Sequence, residues 1–176
     1  MTSTLWGDKT FLRPLEEGDL ALVNRWRNEP EALAGSYQVW PQSEAMQRLW
    51  WARYLQDTTQ ERFIICHLLG GGEVGVIALT CISHKEASAE LGIRVVRAMA
   101  GKGYATDAIT TLTRWAFDEA NLHRLYSEVF DGNDASLAVF RKAGWFQEGR
   151  KLRAHWQNGG WVDVLLFAVL RKEKTE

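Results

Sequence analysis

Residues Glu90 to Asp107 read ELGIRVVRAMAGKGYATD. An apolar, β-branched run enters a glycine-containing turn, Gly101-Lys102-Gly103, and passes without a linker into a helical pattern. Glycines at such a turn allow positive φ and let a ligand approach the backbone closely. The first N–H groups of the helix that follows have no partner within it, and the helix dipole is positive at that end. Strand, glycine turn and helix start together make an anion site suited to a phosphate or pyrophosphate. A Walker A loop requires Gly-Lys-Ser/Thr at its end, whereas Gly103 is followed by Tyr104-Ala105, so that reading fails. A Rossmann fingerprint fits Gly101 and Gly103 but meets Thr106 at its third glycine, and the loop lies mid-chain, not at the opening of a doubly wound half.

Outward from this loop the chain alternates. Lys9–Leu15 reads as a first strand. Asp19 is expected to cap a helix through Leu22, Val23 and Trp26 that stops before Pro30. Ser43 is expected to cap a second, with Met46, Leu49, Trp50 and Tyr54 near helical spacing. Phe63–Leu69 and Glu73–Cys81 flank Gly70-Gly71-Gly72 as a hairpin. Ala87–Val96 is a strand. Tyr104–Ala120 is an amphipathic helix with Ala105, Ala108, Ile109, Leu112, Trp115 and Ala116 at its apolar spacing, closed at a left-handed Asn121. Leu125–Phe130 is a strand. Asp134–Lys142 is a helix ended by Gly144, and Trp145–His155 and Trp161–Leu170 are strands joined across Asn158-Gly159-Gly160. The order β-α-α-β-β-β-α-β-α-β-β predicts an α/β fold with a mixed sheet of about seven strands and helices on both faces. We expect one domain over residues 1–176, with its core at about 9–170 and a solvated tail at 171–176.

Composition bounds the function. The 176 residues are 46% hydrophobic and 24% charged, the balance of a globular protein with a core of its own. Lys plus Arg number 21 against 22 Asp plus Glu, a net charge of −1, which lacks the basic excess of a general nucleic-acid binder. No apolar run is long enough to span a bilayer, and Met1 to Trp6 has no signal-peptide apolar core. Two cysteines, Cys66 and Cys81, read as buried strand residues, and with four scattered histidines they build neither a disulfide framework nor a zinc site. A cytoplasmic, metal-free protein is expected.

The motifs resemble those of the GNAT superfamily of N-acyltransferases, in the subgroup of ribosomal-protein N-terminal acetyltransferases and spermidine acetyltransferase. The family loop [Q/R]-x-x-G-x-[G/A] is matched by Gly101, Lys102, Gly103, Tyr104 and Ala105, with Ala100 departing by lacking the Gln or Arg side chain at the start. The second signature is matched in register by Asn133, Ser136, Phe140, Lys142, Gly144 and Trp145, and the closing one by Glu148, Gly149, Arg153 and Asp163. The resemblance spans about Phe11 to Leu170. It implies a GNAT fold splayed between its fourth and fifth strands, and direct transfer of acetyl from acetyl-CoA to a primary amine in a ternary complex. It implies that Ile93, Arg94 and Val95 flank the pantetheine arm, that Ala100 to Thr106 hold the pyrophosphate, and that Asn133, Phe140 and Lys142 lie along the coenzyme.

An ammonium must lose a proton before it attacks, and the leaving thiolate is helped by gaining one. Glu90 is the candidate base, at a position where related enzymes carry a carboxylate, against a plain solvated strand residue. Ser136 is the candidate acid, because Phe140 stands where many relatives have a Tyr; against this, Ser136 can simply occupy the first turn of its helix. Tyr104 and Tyr126 are secondary donors, and His123 and His155 are expected to be structural. Trp26, Trp40, Trp50 and Trp51 cluster in the N-terminal third, where the superfamily walls its acceptor, beside Asn28, Glu31, Tyr37 and Gln38. The acceptor is left open among a protein N-terminus, an amino sugar, a polyamine and other small amines, with a homodimer among the assemblies. A non-catalytic acyl-CoA-binding module and a protein-interaction domain on the same fold are the alternatives.

Overall fold

The computed structural model describes residues 4–38 and 40–172, the side chains of residues 31 and 34 excepted. Its elements are β1 (Leu5–Trp6), β2 (Thr10–Pro14), α1 (Leu20–Arg27), α2 (Pro30–Ala34), α3 (Glu44–Tyr54), β3 (Glu61–His67), β4 (Glu73–Ser83), β5 (Ser88–Val95), α4 (Tyr104–Asp118), β6 (Arg124–Phe130), α5 (Asp134–Lys142), β7 (Phe146–Gln157) and β8 (Gly160–Leu170). The strands form one eight-stranded sheet in the order β1-β2-β3-β4-β5-β6-β8-β7. The strand beyond the expected seven is β1, two residues paired to β2.

Every neighbouring pair is antiparallel except β5 and β6, which run parallel. A parallel pair needs a crossover, and α4 supplies it. The β5–β6 pairing covers only Ser88↔Arg124, Ala89↔Leu125 and Glu90↔Tyr126. Beyond Glu90 the two strands diverge, so Leu91 to Val95 present an edge to β6 with no strand partner on it. This splay is the one expected between the fourth and fifth principal strands.

Alternation along the strands sorts the sheet into two faces. On one, Ala89, Leu91, Leu125 and Val129 pack with Ala108, Ile109 and Leu112 of α4 and with Leu137 and Phe140 of α5. Ile109 and Leu112 are wholly buried, each worth about 1.5–3 kcal/mol of apolar burial. On the other face Ile64 and Cys66 pack with Leu15, with Val23 of α1 and with Trp50 and Trp51 of α3.

Several local expectations change. Asp19 stands at the start of α1 without capping it. Its carboxylate instead accepts from the Glu16 backbone N–H at 2.9 Å and from Arg13 at 2.7 and 2.8 Å. Pro30 opens α2, as suits a residue with no N–H to leave unpaired at a first helical position. Ser43 does cap α3, accepting from the Met46 N–H. The inward face of α3 carries a buried Gln47 beside Trp50 and Trp51, while Met46 and Leu49 are exposed. Cys81 is exposed, not buried, because a register shift in β4 puts it at φ +51°. Asn121 is left-handed as expected. Arg171 of the tail is held, its N–H on the His123 carbonyl at 2.8 Å and its guanidinium on Asn121 at 3.0 Å; residues 173–176 lie outside the described residues. No described helix is long and apolar enough to cross a membrane.

Candidate active site

Between the α1–α3 side of the sheet and the splay lies a cleft of about 560 Å³. Seven of the residues expected to carry the chemistry or the coenzyme line it together: Glu90, Ile93, Arg94, Val95, Asn133, Ser136 and Phe140. They come from β5 and α5, elements that meet only because β6 leaves β5 after Glu90. Asn133 is the N-cap of α5, and its side-chain oxygen accepts the Ser136 N–H at 3.2 Å, which satisfies one helix-end donor. This cap fixes Ser136 in the first turn with its half-buried side chain toward the cleft. Phe140 sits deeper, edge-on to Trp145 and packed on Phe167.

The glycine loop stands outside the cleft lining. Gly101 and Gly103 have φ of +75° and +86°, and Gly103 is the residue before α4. The first helical bond runs from the Asp107 N–H to the Gly103 carbonyl at 3.1 Å, so the N–H groups of Tyr104, Ala105 and Thr106 precede the helix ladder. The Lys9 ammonium donates to the Lys102 carbonyl at 3.4 Å, adding a cation to the loop that no motif indicates. Asp107 locks this corner, accepting from the backbone N–H groups of Asp8, Lys9 and Thr10 at 3.0, 3.1 and 2.8 Å and from the Thr10 hydroxyl at 2.7 Å. Lys102 and Lys142 are exposed, and Lys142, at the far end of α5, is not part of the cleft.

Glu90 does not stand alone. Tyr126 pairs with it in register, so Glu128, two residues on, lies on the same face of β6 and lines the same cleft. Glu128 accepts hydrogen bonds from Tyr37 and from Lys151. Burial opposes its ionisation, but those two donors outweigh burial and hold its carboxyl below the ordinary range. Glu90 moves the other way: burial first, then the Glu128 charge, raise its carboxyl, with Lys151 opposing. Tyr37 is raised by burial and by donating to Glu128, and its ring meets Phe130 and His155 edge-on. Glu128 and Lys151 carry no motif; the signal for Glu128 was an acidic side chain two positions after Tyr126 within the strand.

Of the tryptophans, Trp26 and Trp50 line the cleft, Trp51 packs beside Trp50 and Tyr54, and Trp40 is exposed. Asn28 is taken up by the Gln42 backbone, donating and accepting at 2.8 Å, and the Glu31 side chain lies outside the described residues. Among the described residues no cluster of His, Cys, Asp or Glu is arranged to hold a metal ion.

The family model described as "Acetyltransferase (GNAT) domain" matches residues 9–145. The chain belongs to the GNAT acetyltransferase family. As a GNAT enzyme it is an acetyl-CoA-dependent N-acetyltransferase, with acetyl-CoA as co-substrate and an amine as acceptor. Spermidine N(1)-acetyltransferase of Escherichia coli (strain K12) is 27% identical over 92% of this chain and 86% of the relative. The putative ribosomal N-acetyltransferase YdaF of Bacillus subtilis (strain 168) is 30% identical over 60% of this chain and 58% of its own. The structure of spermidine N-acetyltransferase from Vibrio cholerae in complex with CoA and spermine superposes with a TM-score of 0.85 at 24% identity, covering 92% of this chain and 95% of that one, which supports the GNAT fold. The loop, the splay and the capped α5 therefore stand on the fold that this family uses.

Proposed function

We propose that acetyl-CoA lies in the splay, its pantetheine along the free edge of β5 at Ile93, Arg94 and Val95 and its pyrophosphate over Ala100 to Thr106, and that the amine enters from the α1–α3 side to meet it at Glu90. The observation that carries this is the parting of β5 and β6 directly after Glu90. A pantetheine arm can take the place of the missing strand by main-chain bonding. The positive-φ glycines and the free helix-start N–H groups suit a pyrophosphate, and Lys9 adds charge there. Asn133 and Phe140 flank the arm from α5; Lys142, exposed beyond the cleft, reaches only coenzyme groups that lie outside it.

Glu90, with its raised carboxyl, accepts the proton that the acceptor ammonium must lose. The amine nitrogen then bonds to the thioester carbon, a backbone N–H of β5 steadies the oxygen, and as the C–S bond breaks the Ser136 hydroxyl gives its proton to the sulfur while the second proton leaving the nitrogen restores that hydroxyl. Transfer is direct, in a ternary complex. One catalytic domain carries the reaction, in the cytoplasm. The Vibrio cholerae relative has a dodecameric structure, so assembly beyond a homodimer is to be checked by sizing in solution. The decisive experiment is calorimetry with acetyl-CoA, then thiol release with a panel that includes spermidine, peptides with free N-termini and amino sugars. Tight binding and release with one class are expected. Binding with no release across the panel would overturn the amine-transfer reading.

A further inference from the structure

Four arginines line the cleft, Arg97 just past the end of β5 and three on the longer elements: Arg27 from the last turn of α1, Arg62 from β3 and Arg94 from β5. Arg62 pairs with Ala78 and Ala78 with Gly92, and Arg94 pairs with Val76, so small residues stand beside Arg62 on the sheet and a valine beside Arg94. A Cβ on Gly92 would meet nothing within 4 Å. All three side chains are half-buried, and each donates to a neutral acceptor. Arg27 donates to the Gln38 side-chain oxygen. Arg62 donates to the Gln60 side-chain oxygen at 2.8 Å and lies 5.1 Å over the Trp50 ring. Arg94 donates to the Ala32 carbonyl at 3.2 Å. Among the described residues none of the three forms an ion pair. Burial lowers all three, and the charge of Arg27 lowers Arg62 and Arg94 further, with Tyr54 and Asp57 offsetting part of this at Arg62 and Glu29 at Arg94. Half-buried like charges that feel one another need a counter-charge.

A second observation stands on another element. Gln47 of α3 is 2% exposed and lines this cleft, and among the described residues neither its amide nitrogen nor its oxygen has a hydrogen-bond partner. A buried amide with both ends unfilled is rare and marks a place where a polar ligand group belongs. One carboxylate, Glu29, lines the cleft where its charge reaches Arg94; two more, Glu90 and Glu128, stand toward the opposite end. Between Glu90 and Arg94 the strand runs about 13 Å, so the two ends are held apart by the sheet.

We propose that the acceptor is a primary amine that also carries a carboxylate or a phosphate, with the anionic group held by Arg27, Arg62 and Arg94 beside Gln47 and the amine at Glu90. This rests on the reading that the acceptor occupies this cleft. Guanidinium forks match both anions, and a polycation would bring like charge to this end.

The test uses matched pairs with the native enzyme: 6-aminohexanoate against 6-aminohexanamide, 4-aminobutyl phosphate against 4-aminobutanol, and spermidine alongside. The anionic member is expected to have the higher kcat/KM by about 10- to 100-fold, the range for a charge-assisted hydrogen bond, and the two pairs tell carboxylate from phosphate. In folded Arg27→Gln and Arg62→Gln variants that preference should collapse toward one while acetyl-CoA affinity holds. Equal rates within both pairs, or spermidine as the best acceptor, would overturn the inference and leave the transferase reading standing. Loss of acetyl-CoA affinity with the preference intact would give the arginines to the coenzyme and also overturn it. Absence of thiol release with every amine, despite acetyl-CoA binding, is the separate outcome that fails the transferase reading. Calorimetry of the same pairs still decides the inference there: tighter binding of the anionic members supports it, and equal binding overturns it.

Discussion

Glu90 and Glu128 face one cleft from adjacent strands but hold their protons differently. Glu128 is kept ionised by Tyr37 and Lys151, whereas Glu90 is raised by burial and by the neighbouring Glu128 charge. Two carboxyls pushed apart in this way divide the labour of a site: one remains charged and one exchanges a proton. Their titration belongs to the pair.

The sign of the Glu90 shift yields the first prediction. A base must be ionised, so the acidic limb of the pH–rate profile should lie above the ordinary Glu value. Glu90→Gln should slow acetylation and remove that limb. Because the folded protein favours protonated Glu90, its ionisation opposes folding at neutral pH, so the melting temperature of Glu90→Gln there should hold or rise. A normal rate with the limb in place would move the base elsewhere.

Lys151 gives a second pH test. It donates to Glu128 and lowers Glu90. In Lys151→Gln the lowering is lost, so the acidic limb should shift to higher pH while acetyl-CoA affinity is kept. A limb that moves down or not at all contradicts the pairing.

Ser136 is tested by separating turnover from binding. Ser136→Ala keeps the backbone N–H that Asn133 accepts, so α5 should stay capped. Turnover should fall by about 10²–10⁴-fold, the range for a lost acid–base group, with acetyl-CoA affinity little changed. Weaker binding with saturated turnover intact would make Ser136 a binding residue.

Gly103→Val should weaken acetyl-CoA binding. Its φ is +86°, and an added Cβ would lie 3.0 Å from the Lys9 ammonium, which displaces that cation and strains the turn by about 1–2 kcal/mol. Calorimetry on the folded variant checks this; wild-type affinity would take the pyrophosphate away from the loop.

Asp107→Asn addresses the corner that positions the loop. The carboxylate accepts three backbone N–H groups and one hydroxyl. Its loss should cost about 2 kcal/mol, or about 4–8 °C in melting temperature for a chain of this size. An unchanged melting temperature would show that the contacts with β2 do not carry load.

The alternating elements, the glycine turn before α4 and the Gly144 stop were legible in the chain, because each depends on residues a few positions apart. So was the family, since its signatures are local. Periodicity misled at α3, where Met46 and Leu49 have the spacing of a buried stripe but face solvent, and at Cys81, where a register shift turns an apolar strand position outward. Neither effect exists within one segment: the first depends on what covers the helix, the second on the partner strand.

The acidic pair, the arginine end and the Asp107 corner were decided only by folding. Arg27, Arg62 and Arg94 are 35 and 32 positions apart in the chain and share a cleft because β3, β4 and β5 bring α1's partner face and the open edge together. Asp107 and Thr10 stand 97 positions apart. Charge and hydrogen bonding act through space at a few ångströms, so side chains scattered along the sequence acquire their chemistry only when the sheet order makes them neighbours.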